Sequence, residues 1–163
     1  MCKWNQYSRV MAKPTDQRRS ACPISFTLDL VGDKWTLLVL RDLLFNDKRY
    51  YREFLEAGEH IATNILADRL KRLEAEGLLT KERDPDNRKQ VIYQPTQKSL
   101  ALLPVLIEVA YWGATHDPHT AAPRDFMRAT RRRREAIAVV IRRRFSAIRR
   151  SAARQPSKRK ASP

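Results

Sequence analysis

Ile61-Ala62-Thr63-Asn64-Ile65-Leu66-Ala67-Asp68-Arg69-Leu70-Lys71-Arg72-Leu73-Glu74-Ala75-Glu76-Gly77-Leu78-Leu79 is the stretch on which the fold turns. Leu66, Leu70 and Leu73 recur at spacings of four and three, which puts them on one stripe of a helix, while Thr63, Asn64, Asp68, Lys71 and Arg72 face away from it. Such a helix can pack on a core and still enter a groove. It stops at Glu76-Gly77, and Leu78 to Arg83, the polar Asp84-Pro85-Asp86-Asn87-Arg88, and Lys89 to Gln94 follow. A Pro and Asx residues between two half-apolar runs predict strand, turn and strand, with Arg88 and Lys89 at the tip.

Working outward, Arg49 to Ala57 predicts a compact helix with Tyr51, Phe54 and Leu55 inward, closed by Gly58. Gly58-Glu59-His60-Ile61 is then the connection, with Ile61 as an apolar plug that fixes the angle between two helices. Before it, Asp33 can cap a largely buried helix from Lys34 to Phe45, in which Trp35 reads as core. A shorter helix starts at Ser25 as N-cap and is interrupted by Gly32. Downstream, Leu100, Leu103, Leu106, Ile107, Ala110 and Tyr111 predict a helix from Gln97 to Trp112, divided by Pro104 into a short and a longer piece. Its apolar face is wider than a small core needs, which suits either a dimer interface or packing on the 34–45 helix. The predicted fold is mainly α with a small β hairpin, a winged helix-turn-helix, and this arrangement points to DNA.

The net charge of +15 has to be divided before it says anything about partners. From Ala121 onward the chain holds 15 Lys or Arg against Asp125 and Glu135, whereas residues 1–120 hold 18 basic against 16 acidic side chains. The domain is nearly balanced and the tail carries the charge. The expected organisation is a flexible N-terminal arm over residues 1–20, a winged-helix domain over 21–116, and an arginine-rich helical extension with a disordered end over 117–163. One tail helix from Asp125 to Arg150 would carry Ile137, Val140, Ile141, Phe145 and Ile148 on a single face.

Cys2 and Cys22 form no Cys-x-x-Cys, and His116 and His119 stand around Pro118 with no further ligand at a usual distance, so neither a metal site nor a disulfide scaffold is expected. No cofactor is implied. There is no Ser/His/Asp ordering, no phosphate-cradling Gly-rich loop among only four glycines, and no paired-carboxylate site, which argues against an enzyme. No run approaches the ~20 apolar residues that span a bilayer, and Met1 to Val10 lacks a signal-like apolar run; the expected location is the cytoplasm, on the nucleoid.

These pieces together resemble the HxlR-type transcriptional regulators, a winged-helix family related to the MarR-like proteins. The resemblance lies in Cys22-Pro23, Leu28-Asp29-Leu30-Val31-Gly32-Asp33-Lys34-Trp35-Thr36 with Leu37-Leu38-Val39-Leu40-Arg41, Arg49-Tyr50-Tyr51-Arg52-Glu53-Phe54, Ile61, Leu66 to Leu78, Tyr93, Leu103-Pro104-Val105-Leu106 and Trp112. Gln94-Pro95-Thr96-Gln97-Lys98 departs from it, standing where the family usually shows a Leu-Thr and a Gly. The resemblance implies a homodimer on double-stranded operator DNA, terminal helices at the interface, an inverted-repeat target and action as a repressor. Thr63 and Asn64 would then meet base edges or phosphates, Lys71 and Arg72 the backbone, Arg88 and Lys89 the minor groove or phosphates, and Arg49 and Arg52 further phosphates. The resemblance also places a cysteine at Cys22, through which some members sense oxidants or electrophiles; a small packing residue is the alternative, and a small-molecule or electrophile effector is the corresponding partner.

The tail lies outside the resemblance. Arg131 to Arg134 and Arg142 to Arg144 flank Ala136 to Ile141, and three uses compete: a DNA clamp, a surface helix on anionic membrane, and a helix docked on a partner subunit. The clamp is preferred because the domain beside it already suits DNA. The alternative function for the whole chain is a basic RNA- or ribosome-associated protein, which would account for the pI of about 10.5 but not for the near-neutral domain.

Overall fold

The computed structural model describes residues 21–122, 128, 136, 137 and 139–146; the arm over residues 1–20, Arg131 to Arg134 and Ile148 lie outside them. Along the chain come α1 (Pro23–Val31), α2 (Lys34–Leu44), α3 (Tyr51–Leu55), α4 (Thr63–Ala75), β1 (Leu79–Arg83), β2 (Val91–Pro95), α5 (Gln97–Leu100) and α6 (Leu103–His116). This is the expected winged helix-turn-helix, mainly helical with one two-stranded antiparallel hairpin. No helix of the described residues is long and apolar enough to cross a membrane.

α2 is the central post. Asp33 caps it as expected, with its Oδ1 accepting from the Trp35 and Thr36 amides at 3.1 Å each. Val39, Leu40, Leu43 and Leu44 join Phe54, Ile61, Leu66, Leu70, Leu73, Leu78 and Leu79 in one core, to which α5 and α6 add Leu100, Leu103, Leu106 and Ile107. Trp35 is half-buried against that core, consistent with a packing role. Asp42 is buried within α2 and accepts from Arg41 Nε at 2.9 Å, Asn46 Nδ2 at 2.8 Å and Lys48 Nζ at 2.8 Å, which compensates the burial of its charge.

Several boundaries differ from the sequence reading. α1 begins at Pro23 with Cys22 as N-cap, three residues before the expected Ser25 cap, because proline already has the backbone angle of a first helical residue and needs no N–H there. α3 is shorter than 49–57: the Glu53 carboxylate accepts from the Arg49 and Tyr50 amides at 2.6 and 2.9 Å, so the helix starts after Tyr50. The preceding pair is extended and borders the wing, with Tyr50 bridged to Ile92 and the Tyr93 amide donating to Arg49 O at 2.8 Å. α4 starts at Thr63, and Ile61, in the connection before it, is buried as the expected plug. Gly77 follows it at φ 67°, where a side chain would be strained.

The division at Pro104 is as expected, with α5 capped by Thr96 and Pro104 in the first turn of α6. α6 runs one turn beyond Trp112, to His116. In the tail, residues 139–146 are helical, and Ile137, Ile141 and Phe145, spaced by four, pack on the domain's core. Val140, expected on that same face, is instead exposed, since it lies about 100° away around the helix from Ile141.

The loop between α3 and α4 is tied to α2 by a bidentate pair from Arg41 to Glu59, at 2.5 and 3.0 Å. That hydrogen bond holds the Glu59 carboxyl down at about 2, against an ordinary 4.5. A lowered carboxyl stabilises the fold above its unfolded value and loses that contribution as pH falls through the folded one. Because Glu59 is 37% exposed, solvent screening limits the effect to under about 1 kcal/mol. Glu59→Gln should therefore be slightly less stable than the parent at pH 7 in urea unfolding, and the gap should close between pH 4.5 and about 2.

Candidate nucleic-acid interface

α4 buries Leu66, Leu70 and Leu73 and leaves Thr63, Asn64, Ala67, Asp68 and Lys71 exposed, so the apolar stripe read from the sequence does orient the helix. Its first turn has no side-chain cap, which leaves amide N–H groups pointing outward at the positive end of the helix. Tyr51 donates its hydroxyl hydrogen to Thr63 O at 2.7 Å and so joins the start of α4 to α3. Thr63, Asn64 and Lys71 have no side-chain hydrogen-bond partner among the described residues. A groove of about 450 Å³ runs between α4 and the hairpin, lined by Tyr51, Ala67, Lys71, Glu74, Lys81 and Tyr93. Lys81 and Glu74 pair across it at 2.8 Å.

The wing is a self-tied loop. Asp84 accepts from the Asp86 amide and the Tyr50 hydroxyl at 2.8 Å each, Asn87 accepts from the Lys89 amide at 3.2 Å, and the Asp84 amide closes on Gln90 O at 3.0 Å. The Asp86 amide first, and Tyr50 next, hold the Asp84 carboxyl below the ordinary carboxylate range. Arg88 and Lys89 are exposed at the tip of this loop.

Arg49 is placed less openly than the sequence reading expects, and Arg52 and Arg72, though exposed, already have partners within the fold. Arg49 is largely buried, and its guanidinium donates to Leu43 O at 2.8 Å, to Lys48 O at 3.0 Å and to Asp47. Arg52 is exposed and pairs with Glu56 one turn on at 2.8 Å. Arg72 donates to Asp29 O at the end of α1, and its neighbour Arg69 pairs with the Asp33 cap at 3.0 Å. α4 is thus linked by two arginines to the α1–α2 junction. The sequence reading missed Arg69, whose signal was its position one turn before Arg72 beside the apolar stripe.

The HxlR-like helix-turn-helix profile matches residues 30–121, over half of the chain. The chain belongs to the HxlR-like helix-turn-helix family. Among the relatives of this HxlR-type regulator are the uncharacterized HTH-type transcriptional regulator sll1512 of Synechocystis, 33% identical over 63% of this chain and 76% of its own, and the HTH-type transcriptional regulator YodB of Bacillus subtilis, 33% identical over 56% and 81%. Among solved structures, PA1607 superposes with a TM-score of 0.59 at 30% identity, covering 68% of this chain and 77% of that one. The redox regulator HypR in its oxidized form gives 0.54 at 28% identity, covering 59% and 98%. These relatives carry the name of HTH-type transcriptional regulators, and this HxlR-type chain has the helix-turn-helix fold that the family description names.

Proposed function

We propose that the chain is a homodimeric, sequence-specific regulator of repressor type that binds an inverted-repeat operator in double-stranded DNA, and that Cys22 modulates it as a thiol sensor. The carrying observation is the open face of α4, with Thr63, Asn64 and Lys71 unengaged at its surface, standing beside a wing tipped by Arg88 and Lys89. Bases are read from the α4 N-terminal turn and phosphates are held by Lys71 and the wing. Arg49 drops out of the contact set, Arg72 serves chiefly the α1 link, and Arg52 stays on it as an exposed secondary cation. Duplex DNA is favoured over RNA because the deep, narrow A-form groove does not admit a helix.

Dimerisation is supported by exposed apolar side chains on α1 and α6: Ile24, Leu28, Val105, Val109 and Trp112, the last 67% exposed. Two copies joined there carry their α4 helices to successive major grooves, ~34 Å apart, on a two-fold axis. A dimer seated across a promoter excludes other proteins from the same grooves, which is the physical basis of repression. Residues 21–116 form the DNA-binding domain in this reading, with an arm before it and a basic extension after it, and the protein works in the cytoplasm on the nucleoid.

Cys22 caps α1 at half-burial, on the helix that would form the interface, so oxidation or alkylation there alters a packed helix start. The name of HypR as a redox regulator supports the same use. The test is selection of bound duplexes by the full chain, with sedimentation equilibrium for its mass. An enriched inverted repeat and a dimeric mass are expected; a monomer without sequence preference overturns the reading. On the selected duplex, a peroxide should weaken the parent at least about tenfold and leave Cys22→Ser unaffected. Equal loss in both proteins removes Cys22 as the sensor.

A further inference from the structure

The basic extension lies beyond the residues matched by the family, 30–121, yet part of it is built into the domain. Phe145 is 4% exposed. Two guanidinium groups lie over its ring, Arg49 at 4.8 Å and Arg144 at 5.1 Å from its centre. Arg49 bonds Leu43 O and Arg144 bonds Leu44 O, each at 2.8 Å, so both arginines satisfy carbonyls that the end of α2 leaves open, where the helix dipole favours cations. The tail is therefore anchored to the central helix by an apolar plug and a C-terminal cap together.

Opposite Phe145, across a shared cavity, stands the wing. A cavity of about 200 Å³ beside the ring is lined by Tyr50, Ile92, Gln94, Pro95, Gln97 and Leu100, as well as by Arg49 and Phe145. Strand alternation divides β2 between two faces. Tyr93 turns to the α4 groove and packs edge-on against Phe54 with ring centres 6.1 Å apart, while Ile92 and Gln94 line the cavity that Phe145 also lines. An isolated two-stranded hairpin is marginal in water; here β2 packs on Phe54 in front, and behind it is joined to Phe145 through Arg49, whose carbonyl accepts from the Tyr93 amide at 2.8 Å and whose guanidinium lies over the Phe145 ring.

We propose that Phe145 is a positioning residue for the wing, and that the C-terminal helix around it is a brace behind the hairpin that sets where Arg88 and Lys89 meet DNA. The inference rests on the DNA-binding reading above, because it assigns the brace a role in that contact. It differs from a free basic tether, whose contribution depends on charge alone and not on where one phenylalanine sits.

The experiment compares the full chain with Phe145→Ala, which keeps every charge, and Phe145→Leu, which keeps an apolar plug without the ring. Hydrogen exchange is read without DNA, and affinity and its salt dependence on the selected duplex. In Phe145→Ala, amides of residues 91–94 should exchange about tenfold faster while α2 and α4 core amides keep the parent rate. Affinity should fall about tenfold with a shallower salt slope, because the wing's phosphate contacts are loosened although every charge is kept, and Phe145→Leu should recover most of these effects. Parent-like exchange in residues 91–94 of Phe145→Ala overturns the brace, as does a loosened hairpin with undiminished affinity or faster exchange throughout the core. Failure of the parent itself to bind any duplex would instead overturn the DNA-binding reading, and the two failures are distinct because exchange is measured without DNA.

Discussion

Leu70→Asp should leave no folded domain at neutral pH. Leu70 is 2% exposed on the inner stripe of α4, between Leu66 and Leu73, in the core shared with α2. Truncating such a leucine to alanine costs ~2–5 kcal/mol, and placing a carboxylate there adds the cost of an unpaired buried charge. Single domains are stable by only ~5–15 kcal/mol, so the sum reaches the range in which the folded state is no longer populated. Circular dichroism and one-dimensional NMR should show lost helicity and collapsed dispersion. A cooperative transition near the parent's urea midpoint would show that the stripe is not the inward face of α4.

Asn64→Ala changes the same helix and should have the opposite signature. Asn64 is exposed six residues before Leu70 and holds no side-chain partner among the described residues, so the folded state loses nothing by its truncation. Its amide can donate and accept at once, the pairing that suits an adenine edge, and one such contact is worth ~1–3 kcal/mol of discrimination. Affinity for the selected operator should fall roughly tenfold or more, with urea stability within ~0.5 kcal/mol of the parent. Binding to unrelated duplexes should change little, because phosphate contacts carry it. Wild-type affinity and specificity in Asn64→Ala would move the reading surface away from the start of α4.

The difference between these two substitutions is legible in the sequence because helical periodicity is a local property. The Leu66, Leu70 and Leu73 stripe, the Asp33 cap, the Ile61 plug and the break at Pro104 all follow from residues within a few positions of one another. The role of each arginine does not. Arg72 finds its acceptor at Asp29, 43 residues earlier, and Arg144 finds Leu44 O across 100 residues. A guanidinium on a predicted polar face looks the same whether it reaches outward to phosphate or inward to a carbonyl, and only the tertiary fold brings that carbonyl within reach. Arg49 shows the extreme case: its position before α3 suggested a phosphate contact, whereas three acceptors and an aromatic ring occupy it. Phe145 was legible as one side of an amphipathic helix, but not as a neighbour of β2.

The two arginine links from α4 to the α1–α2 junction bear on how tolerant such a protein can be toward its target. With Arg69 held to Asp33 and Arg72 to Asp29, the reading helix has little freedom to swivel on the helix that would join two copies. One base pair inserted between half-sites moves the second by ~3.4 Å and turns it by roughly 34° about the duplex axis. Flexible linkers between reading heads could follow that screw motion, but a body fastened in this way could not, so the proposed dimer would act as a calliper of fixed opening, and the genome sites open to it would be those already cut to its gauge.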